Sequence, residues 1–299
     1  MFDTTPFLDC AGRKLLLDRP RIMGIVNVTP DSFSDGGAHD STELAVAHAL
    51  ALAEQGADIL DIGGESTRPG AAEVSLAEEL RRVIPVIERL AQATPLPISI
   101  DTSKPEVMRA AVAAGAGLIN DPFALRRDGA LDAAAALGVP VCLMHMQGEP
   151  RSMQDNPQYE DVVAEVHSFF TQRLFACEMA GIDKKKLLID PGFGFGKNLE
   201  HNLRLLRQLS RFVELGVPVL AGLSRKGMIG TLTGRAVDDR LVGSVVAALI
   251  AVQNGAQIVR VHDVAATVDA LSIWAAVAAQ PAGAKKPPKP TMPKWGDDD

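Results

Sequence analysis

Residues 22–37 read IMGIVNVTPDSFSDGG, an unbroken apolar run followed by a long loop rich in polar residues and glycine. Seven more apolar runs follow, each ended by polar residues or glycine and then by a segment with helical periodicity. Runs that are apolar throughout are typical of parallel strands covered on both faces, and strands that alternate with helices form βαβ units. Eight such units predict an α/β fold, a closed TIM (β/α)8 barrel. The predicted strands are 22–28, 59–62, 97–100, 117–119, 139–144, 187–189, 217–223 and 257–261.

The size and composition agree with one large globular domain. The chain has 299 residues, of which 47% are apolar, 22% are charged and only 4% are aromatic, so we expect an aliphatic core. The formal charge of −7 makes nucleic acid an unsuitable partner. No apolar stretch is long enough to span a membrane, the N-terminus lacks a signal peptide, and the three cysteines are scattered. These features favour the cytoplasm.

Two segments lie outside the eightfold pattern. Residues 7–17, centred on Ala11-Gly12, predict a short hairpin that closes the bottom of the barrel. From residue 280 the chain contains five prolines, four lysines and a final run of three aspartates, a composition that cannot form a packed core. We therefore expect a single barrel domain over 1–279 and a disordered tail over 280–299.

Helix signals support this division of the chain. Residues 75–78 and 103–106 both read S-x-x-E, the pattern in which a hydroxyl and a carboxylate cap a helix start, and Asp40 with Glu43 is similar. Apolar residues between 162 and 179 recur at helical spacing and are followed by Gly181, which can end a helix in the left-handed conformation. These patterns predict helix starts near 40, 75 and 103 and a helix over 162–179.

Polar residues follow every predicted strand, and a TIM barrel gathers the carboxyl ends of its strands at one mouth, where its active site is built. Arg and Lys are poor helix caps, so a helix-capping role does not explain the whole set. Three acids, Glu65, Asp121 and Asp263, fit capping or supporting roles, and His145 fits a buried core histidine as well as a site residue. The remaining candidates are Asn27, Thr67, Arg68, Asp101, Asn120, Asp190, Lys226, Arg260 and His262.

The charge types of these candidates indicate the ligand. Hydroxyl, guanidinium and imidazole donors form a set that suits phosphate oxygens. Asp101 and Asp190 need a ligand rich in hydrogen-bond donors. Asn27, with Asp31 and Asp35 nearby, offers the hard oxygen ligands that Mg²⁺ accepts together with substrate phosphates. The four predicted phosphate ligands are Thr67, Arg68, Arg260 and His262.

Other chemistries lack their motifs. The sequence has no ligand spacing typical of zinc and no G-x-S-x-G nucleophile elbow. The glycines of PGFGFG (191–196) lack the G-x-G-x-x-G spacing of a dinucleotide loop. The residues therefore predict a barrel enzyme that binds a phosphorylated, donor-rich small molecule and displaces or transfers a group at its phosphate end.

Several long strings together resemble the dihydropteroate synthase family. They extend in the family's order to about residue 279: GIVNVTPDSFSDGG (24–37), GGESTRPGA (63–71), SIDTSKPEV (99–107), LMHMQG (143–148), LIDPGFGFGKN (188–198), LSRKGMIG (223–230) and RVHD (260–263). The resemblance implies a barrel, usually dimeric, that condenses 6-hydroxymethyl-7,8-dihydropterin diphosphate with p-aminobenzoate to 7,8-dihydropteroate and diphosphate in folate synthesis. In that family sulfonamides compete with p-aminobenzoate.

The resemblance also implies a role for each matching residue. The pterin subsite maps to Asp101, Asn120, Met144, Asp190 and Lys226, of which Asp101, Asp190 and Lys226 are the expected catalytic residues. The diphosphate subsite maps to Thr67, Arg68, Arg260 and His262, and to Asn27 as the Mg²⁺ ligand. The p-aminobenzoate subsite maps to Phe33, Thr67, Pro69, Phe195 and Gly227. The implied reaction is a dissociative displacement at the pterin methylene.

Two positions depart from the family pattern, and two rival functions remain. Gly227 stands where the family usually has serine, and Pro122-Phe123 follows Asn-Asp where it usually has isoleucine. A methyltetrahydrofolate-dependent methyltransferase domain would share the pterin acids but would not need a diphosphate clamp. A catalytically silent pterin-binding protein would explain Gly227 and Pro122 as signs of decay, although the predicted phosphate ligands are all retained.

Overall fold

The chain forms the predicted barrel in its computed structural model, which describes residues 5–29, 38–65, 74–149, 153–154 and 156–279. An antiparallel hairpin comes first, and eight strands that pair in parallel follow. The hairpin strands are β1 (Phe7–Cys10) and β2 (Arg13–Leu16), and the barrel strands are β3 (Arg21–Asn27), β4 (Ile59–Gly63), β5 (Ile98–Asp101), β6 (Leu118–Asp121), β7 (Val141–Met144), β8 (Leu187–Asp190), β9 (Leu220–Ala221) and β10 (Ile258–Val261).

Each of the eight apolar runs overlaps one barrel strand, so the predicted number and order of barrel strands are confirmed. The strand order is β8-β7-β6-β5-β4-β3-β10-β9, and a bridge between Ile189 and Val219 joins the two ends into a ring. Strand β9 is only two residues long, although the apolar run 217–223 predicts a longer strand. Its neighbourhood still pairs with β8, since the Ile189 amide donates to the Pro218 carbonyl at 3.0 Å.

Helices alternate with the barrel strands and cover the outside of the ring. Two 3₁₀ turns, Lys184–Lys186 and Val237–Asp239, lie among them. The helices are α1 (Ala38–Glu54), α2 (Leu76–Ala93), α3 (Pro105–Ala114), α4 (Ala130–Leu137), α5 (Val162–Met179), α6 (Leu199–Arg207), α7 (Ser210–Val213), α8 (Gly227–Thr233), α9 (Leu241–Gln253) and α10 (Val264–Ala278).

The helix-start predictions have different outcomes. The Ser75 hydroxyl accepts from the Glu78 amide at 3.3 Å and caps α2, and α5 has the predicted bounds, with Gly181 at φ +88° beyond its end. The other two starts are wrong. Helix α1 begins at Ala38, so Asp40 lies inside it. Helix α3 begins at Pro105 after Lys104, without a side-chain cap, and proline at a first helical position has no amide that needs one.

The hairpin closes the bottom of the barrel, as predicted. Leu8, Cys10 and Leu15 are buried in one cluster with the lowest inward-facing side chains of the barrel strands, including Met23 and Leu118. The contact is close: a Cβ added at Gly117 would lie 2.3 Å from the Cys10 carbonyl oxygen. Because apolar residues fill this end, the polar inward-facing residues are left to the opposite end.

The C-terminal tail predicted over 280–299 lies outside the described residues. Within the described ranges, no helix is both long enough and apolar enough to cross a membrane.

Candidate active site

The centre of the mouth is a guanidinium held between two carboxylates. Arg260, on β10, donates from Nε to Asp61 Oδ2 at 2.6 Å and from Nη2 to Asp101 Oδ2 at 2.8 Å. Asp61 is on β4 and Asp101 ends β5, so the three residues join three strands across the interior of the barrel. Closure of the barrel therefore brings together side chains up to 199 positions apart in the sequence.

Asp61 is a site residue that the sequence analysis missed. It is fully buried, and its Oδ2 also accepts from Asn120 Nδ2 at 3.2 Å, so one carboxylate contacts both Arg260 and Asn120. Its Oδ1 and the Ser99 hydroxyl, at paired positions on β4 and β5, are buried without a hydrogen-bond partner within the described part of the chain. The signal was a carboxylate in the middle of an apolar run, whereas the analysis considered the ends of the runs.

Burial and neighbouring charges decide the ionisation of these groups. Burial raises the pKa of Asp101 to about 7, although the Arg260 charge opposes the shift, and the Asp61 charge adds to it. Burial also raises the pKa of Asp190, against a hydrogen bond from the Gly192 amide. The two carboxylates on Arg260 raise the pKa of the guanidinium, so Arg260 stays charged.

Lys226 and Phe195 form the opposite side of the mouth. Lys226 is the N-cap residue of α8, and its Nζ lies 4.0 Å from the centroid of the Phe195 ring, a cation–π contact. Burial and the Arg260 charge lower the pKa of Lys226 to about 8, while Asp190 and Asp101 act in the opposite direction. The amine thus belongs to the same electrostatic site as both acids.

Backbone conformation and steric contacts explain why positions 192, 194 and 196 of PGFGFG are glycine. Gly192, Gly194 and Gly196 have φ of +68°, +80° and +60°, a region that favours glycine. A Cβ at Gly192 would lie 1.9 Å from the His145 carbonyl oxygen, and one at Gly196 would lie 2.4 Å from the Gln147 carbonyl oxygen. These glycines let the loop after β8 pack against the segment after β7.

The remaining described candidates border the same mouth. A Cβ added at Gly63 would lie 3.8 Å from Asp101 Oδ2 and 3.9 Å from Asn27 Oδ1. His262 follows β10, and its Nδ1 lies 3.0 Å from the Ser224 hydroxyl. Met144 ends β7 and is buried with Phe195. Six residues of the sequence analysis lie outside the described residues: Asp31, Phe33, Asp35, Thr67, Arg68 and Pro69.

The residues given supporting roles have them. Asp121 accepts from the Phe123 and Leu125 amides at 2.8 and 2.7 Å, and Asp263 binds Arg225 through both oxygens. Glu65 accepts from Lys104 Nζ at 2.7 Å.

His145 is a buried core histidine, which is one of the two alternatives that the sequence left open. Its ring packs edge-on against Phe169 at 4.8 Å, and burial lowers its pKa to about 2. The sequence analysis gave no role to Lys104, which also binds the buried Glu79 at 2.6 Å.

The oxygen ligands described at the mouth fit Mg²⁺ only if substrate phosphates and water complete its coordination. Within the described residues there is no group of three or more His, Cys, Asp or Glu side chains that could hold a metal ion. Asn27 contributes one amide oxygen, and Gly63 on β4 separates it from Asp101. Mg²⁺ commonly keeps several waters and binds through one or two protein oxygens plus substrate phosphates, so these residues fit an ion that arrives with a diphosphate.

Comparison with known proteins decides the family. Residues 23–262 match the model of the family described as pterin binding enzyme. The dihydropteroate synthase of Escherichia coli (strain K12) is 56% identical over 262 residues, which are 88% of this chain and 93% of that protein. The chain belongs to the dihydropteroate synthase family.

Solved structures of the family share the fold. A Xanthomonas albilineans dihydropteroate synthase with 4-aminobenzoic acid is 69% identical, with a TM-score of 0.89 over 93% of this chain and 100% of that one. A second structure from the same organism, in complex with 7,8-dihydropteroate, is 66% identical, with a TM-score of 0.86 over 92% of this chain and 100% of that one. The family match and these folds confirm the resemblance seen in the sequence.

The contacts of Asp61 predict a loss of activity on its replacement. Asp61→Asn keeps the shape of the side chain but removes the charge that pairs with Arg260, so Arg260 should shift toward Asp101 and Asn120 should lose its charged acceptor. We expect kcat/KM to fall about tenfold or more, which corresponds to about 1.4 kcal/mol. Steady-state kinetics, with unfolding followed by circular dichroism, measures this effect.

Ser99→Ala is the matched control, because Ser99 is buried at the paired position on the neighbouring strand and does not contact Arg260. It should keep near wild-type kinetics. Equal losses of activity in the two variants would show that any change of polarity at these paired positions of β4 and β5 reduces activity, and would contradict the role of Asp61.

Proposed function

We propose that this chain condenses 6-hydroxymethyl-7,8-dihydropterin diphosphate with p-aminobenzoate, giving 7,8-dihydropteroate and diphosphate in folate synthesis. The observation that carries the proposal is the arrangement at the mouth, where Arg260 and Lys226 lie with Asp101 and Asp190 in one buried site. A ligand with an anionic end and an end rich in N–H donors complements that arrangement. Family membership supports the reaction, and the geometry of the mouth supports its location there.

The pterin occupies the deepest part of this site in the proposal. A 2-aminopyrimidinone edge presents parallel N–H donors, which the Asp190 carboxylate can accept as a pair, while Asn120 offers both a donor and an acceptor. Lys226 faces the ring oxygen, Met144 packs on the ring, and Asp101 lies toward the methylene. The fixed positions of Asn120 and Asp190 support this assignment, since hydrogen bonds from Asn120 to Asp61 and from the Gly192 amide to Asp190 orient them.

The diphosphate lies at the rim of the mouth. Arg260 and His262, both from β10 and its carboxyl end, contribute a cation and an imidazole, and Thr67 and Arg68 complete the clamp. Asn27 would hold Mg²⁺ together with the phosphate oxygens, where the ion neutralises charge on the leaving group. The position of Asn27 beside Gly63 and Asp101 supports this assignment.

The p-aminobenzoate lies on the outer side of Lys226. Phe195 forms one wall, with its ring against the Lys226 amine. Gly227, the first residue of α8, follows Lys226 and has open space around it, because a Cβ there would meet no other part of the chain within 4 Å. Phe33, Thr67 and Pro69 are the proposed remaining wall.

The reaction is a dissociative displacement. The bond between the pterin methylene carbon and the diphosphate oxygen breaks, and the electron pair leaves with the oxygen. The aniline nitrogen then attacks the methylene cation and loses a proton. Arg260 and the other clamp residues stabilise the departing anion, and the Asp101 carboxylate stabilises the cation. An aniline is neutral near pH 7, so the residues mainly position the partners and exclude water.

Turnover of the purified protein tests the proposal. With pterin diphosphate, p-aminobenzoate and magnesium, we expect diphosphate release in equal amount to 7,8-dihydropteroate formed. Diphosphate release should stop when p-aminobenzoate is omitted. Binding of the pterin without diphosphate release on addition of p-aminobenzoate would favour the silent pterin-binding alternative.

The open space at Gly227 predicts a change in inhibitor discrimination. Gly227→Ser adds a hydroxyl without a steric clash, and a new hydrogen bond contributes about 1 kcal/mol net. We expect it to strengthen p-aminobenzoate and sulfonamide binding unequally, so the ratio of KM to the sulfonamide Ki should change about fivefold. Identical ratios in the two proteins would refute this prediction.

We propose that the protein is a homodimer formed through α9 and α10. These helices pack together, and α9 exposes an apolar stripe at helical spacing, Val242, Val246 and Ile250. Helix α10 adds Ile273 and Val277, which are 68% and 82% exposed. Contiguous exposed apolar surface of this kind marks interaction sites.

Sedimentation tests the dimer. The wild-type protein should sediment with twice the monomer mass, and Val246→Asp should sediment as a folded monomer because a carboxylate cannot be buried unpaired in that interface. Phe175→Asp is the control, since Phe175 is an exposed apolar residue on α5. A monomeric wild type, or a dimeric Val246→Asp variant, would contradict the proposal.

We also propose the cytoplasm as its compartment. All three cysteines are free and buried, and burial raises the pKa of Cys10 to about 12 and that of Cys177 to about 11. Free thiols of this kind agree with a reducing environment.

A further inference from the structure

Lys197 is a buried lysine that the proposed reaction does not use. It ends the glycine-rich loop after β8, and only 2% of its surface is exposed. Its Nζ donates to the carbonyl oxygens of Phe195 at 2.9 Å, Gly192 at 3.0 Å and His145 at 3.3 Å, and it lies 2.9 Å from His145 Nδ1. The ammonium group is therefore surrounded by acceptors from two segments.

The electrostatics agree with an ammonium group that acts as a donor. His145 has a pKa lowered to about 2, so its ring is neutral and Nδ1 can accept a hydrogen bond from Lys197. Burial lowers the pKa of Lys197 itself to about 7, and the Asp190 charge opposes that shift. Burial of such a group is unfavourable unless its hydrogen bonds are made, and here the three carbonyls and the imidazole share its three N–H donors.

The same loop has further fixed points. The Tyr159 hydroxyl donates to the Gly196 carbonyl at 2.9 Å, and Asn202 Oδ1 accepts from the Gly194 amide at 2.7 Å. Two of the loop carbonyls, those of Gly192 and Phe195, accept from Lys197, and the Gly192 carbonyl also accepts from the Phe195 amide at 3.1 Å. Lys197 thus links the two ends of the turn that contains Phe193, Gly194 and Phe195.

This turn presents Phe195 to the mouth. The Phe195 ring is 8% exposed, and the Lys226 amine lies over it at 4.0 Å. A Cβ added at Gly194 would lie 3.2 Å from Lys226 Cδ, so the turn also contacts the stem of that side chain. Asp190, in contrast, is held by its strand and by the Gly192 amide at 2.8 Å.

We propose that Lys197 is a positioning residue that fixes the turn 192–196 so that Phe195 and Lys226 form the p-aminobenzoate side of the mouth. The inference rests on the proposed function for the identity of that second substrate. Lys197 lies outside the proposed substrate sites, and we infer that it affects the binding of p-aminobenzoate and not that of the pterin diphosphate. Loss of the ammonium would remove the Lys197 donor from the Phe195 carbonyl, leave the Gly192 carbonyl with the Phe195 amide, and let the Phe195 ring move.

The variant Lys197→Met tests the inference, because it keeps the apolar stem and removes the donor. We expect KM for p-aminobenzoate to rise about tenfold, KM for the pterin diphosphate to change less than threefold, and kcat to change less than KM for p-aminobenzoate. A purely structural lysine would lower the thermal midpoint without separating the two KM values.

Lys186→Met is the matched control. Lys186 also donates to a backbone carbonyl, that of Gly138 at 2.6 Å, but it precedes β8 at the far end of the barrel and is only half-buried. It should leave both KM values unchanged. Tyr159→Phe is a second variant, used if Lys197→Met does not fold, and it removes the hydroxyl that donates to the Gly196 carbonyl. It should raise KM for p-aminobenzoate in the same selective way by a smaller factor.

The outcomes separate this inference from the proposed function. Absence of product from the wild-type protein would overturn both. Turnover by the wild type, with equal rises in both KM values or none in Lys197→Met, would overturn the role of Lys197 alone. If Tyr159→Phe is the only folded variant, unchanged KM values in it would do the same.

Discussion

One guanidinium shared by two buried carboxylates holds the interior of this barrel together at its polar end. Arg260 is bonded to Asp61 at 2.6 Å and to Asp101 at 2.8 Å, and Asp61 also orients Asn120. Removal of one partner from a buried pair leaves an uncompensated charge and commonly costs about 3–5 kcal/mol. The set is therefore fixed before any substrate arrives, and because Asp101 shares Arg260 with Asp61, an ionised Asp101 leaves negative charge inside the mouth.

That excess charge suits the chemistry. A cation formed at the pterin methylene needs a nearby anion that is not fully neutralised, and Asp101 shares its guanidinium with Asp61. The burial that raises the pKa of Asp101 also strengthens its interaction with a developing charge, because water is excluded. Arg260 lies two positions before His262 in the chain, and in the proposed reaction it would serve the anion that leaves as well as Asp101.

The barrel architecture and most of the site could be predicted from the sequence. Parallel strands buried on both faces give apolar runs that are easy to recognise, and their carboxyl ends gather at one mouth, which placed Asp101, Asp190, Lys226 and Arg260 together. The helix start at Ser103 was wrong because Pro105 needs no cap. The predicted length of β9 was too great because Val217 and Leu223 are buried apolar residues that lie beside the strand and not in it.

The residues that support the site were harder to predict. Asp61, Lys104 and Lys197 have partners 199, 39 and 52 positions away, and no local pattern encodes such pairs. Asp61 also lies in the middle of an apolar run, where a carboxylate is informative only once its cationic partner is known. A polar residue in a buried strand is unfavourable without a partner, so each one is a reason to look for a charge elsewhere in the chain.

A crystal structure of the protein with 7,8-dihydropteroate tests the central claim most directly, that residues on seven barrel strands, together with Lys226, form one binding cavity. The account predicts the pterin ring inside the mouth, in contact with Asn120, Asp190 and Lys226 at once, with Arg260 still bonded to Asp61. A ring bound outside the mouth, or an Arg260 side chain turned away from both carboxylates in the complex, would contradict it.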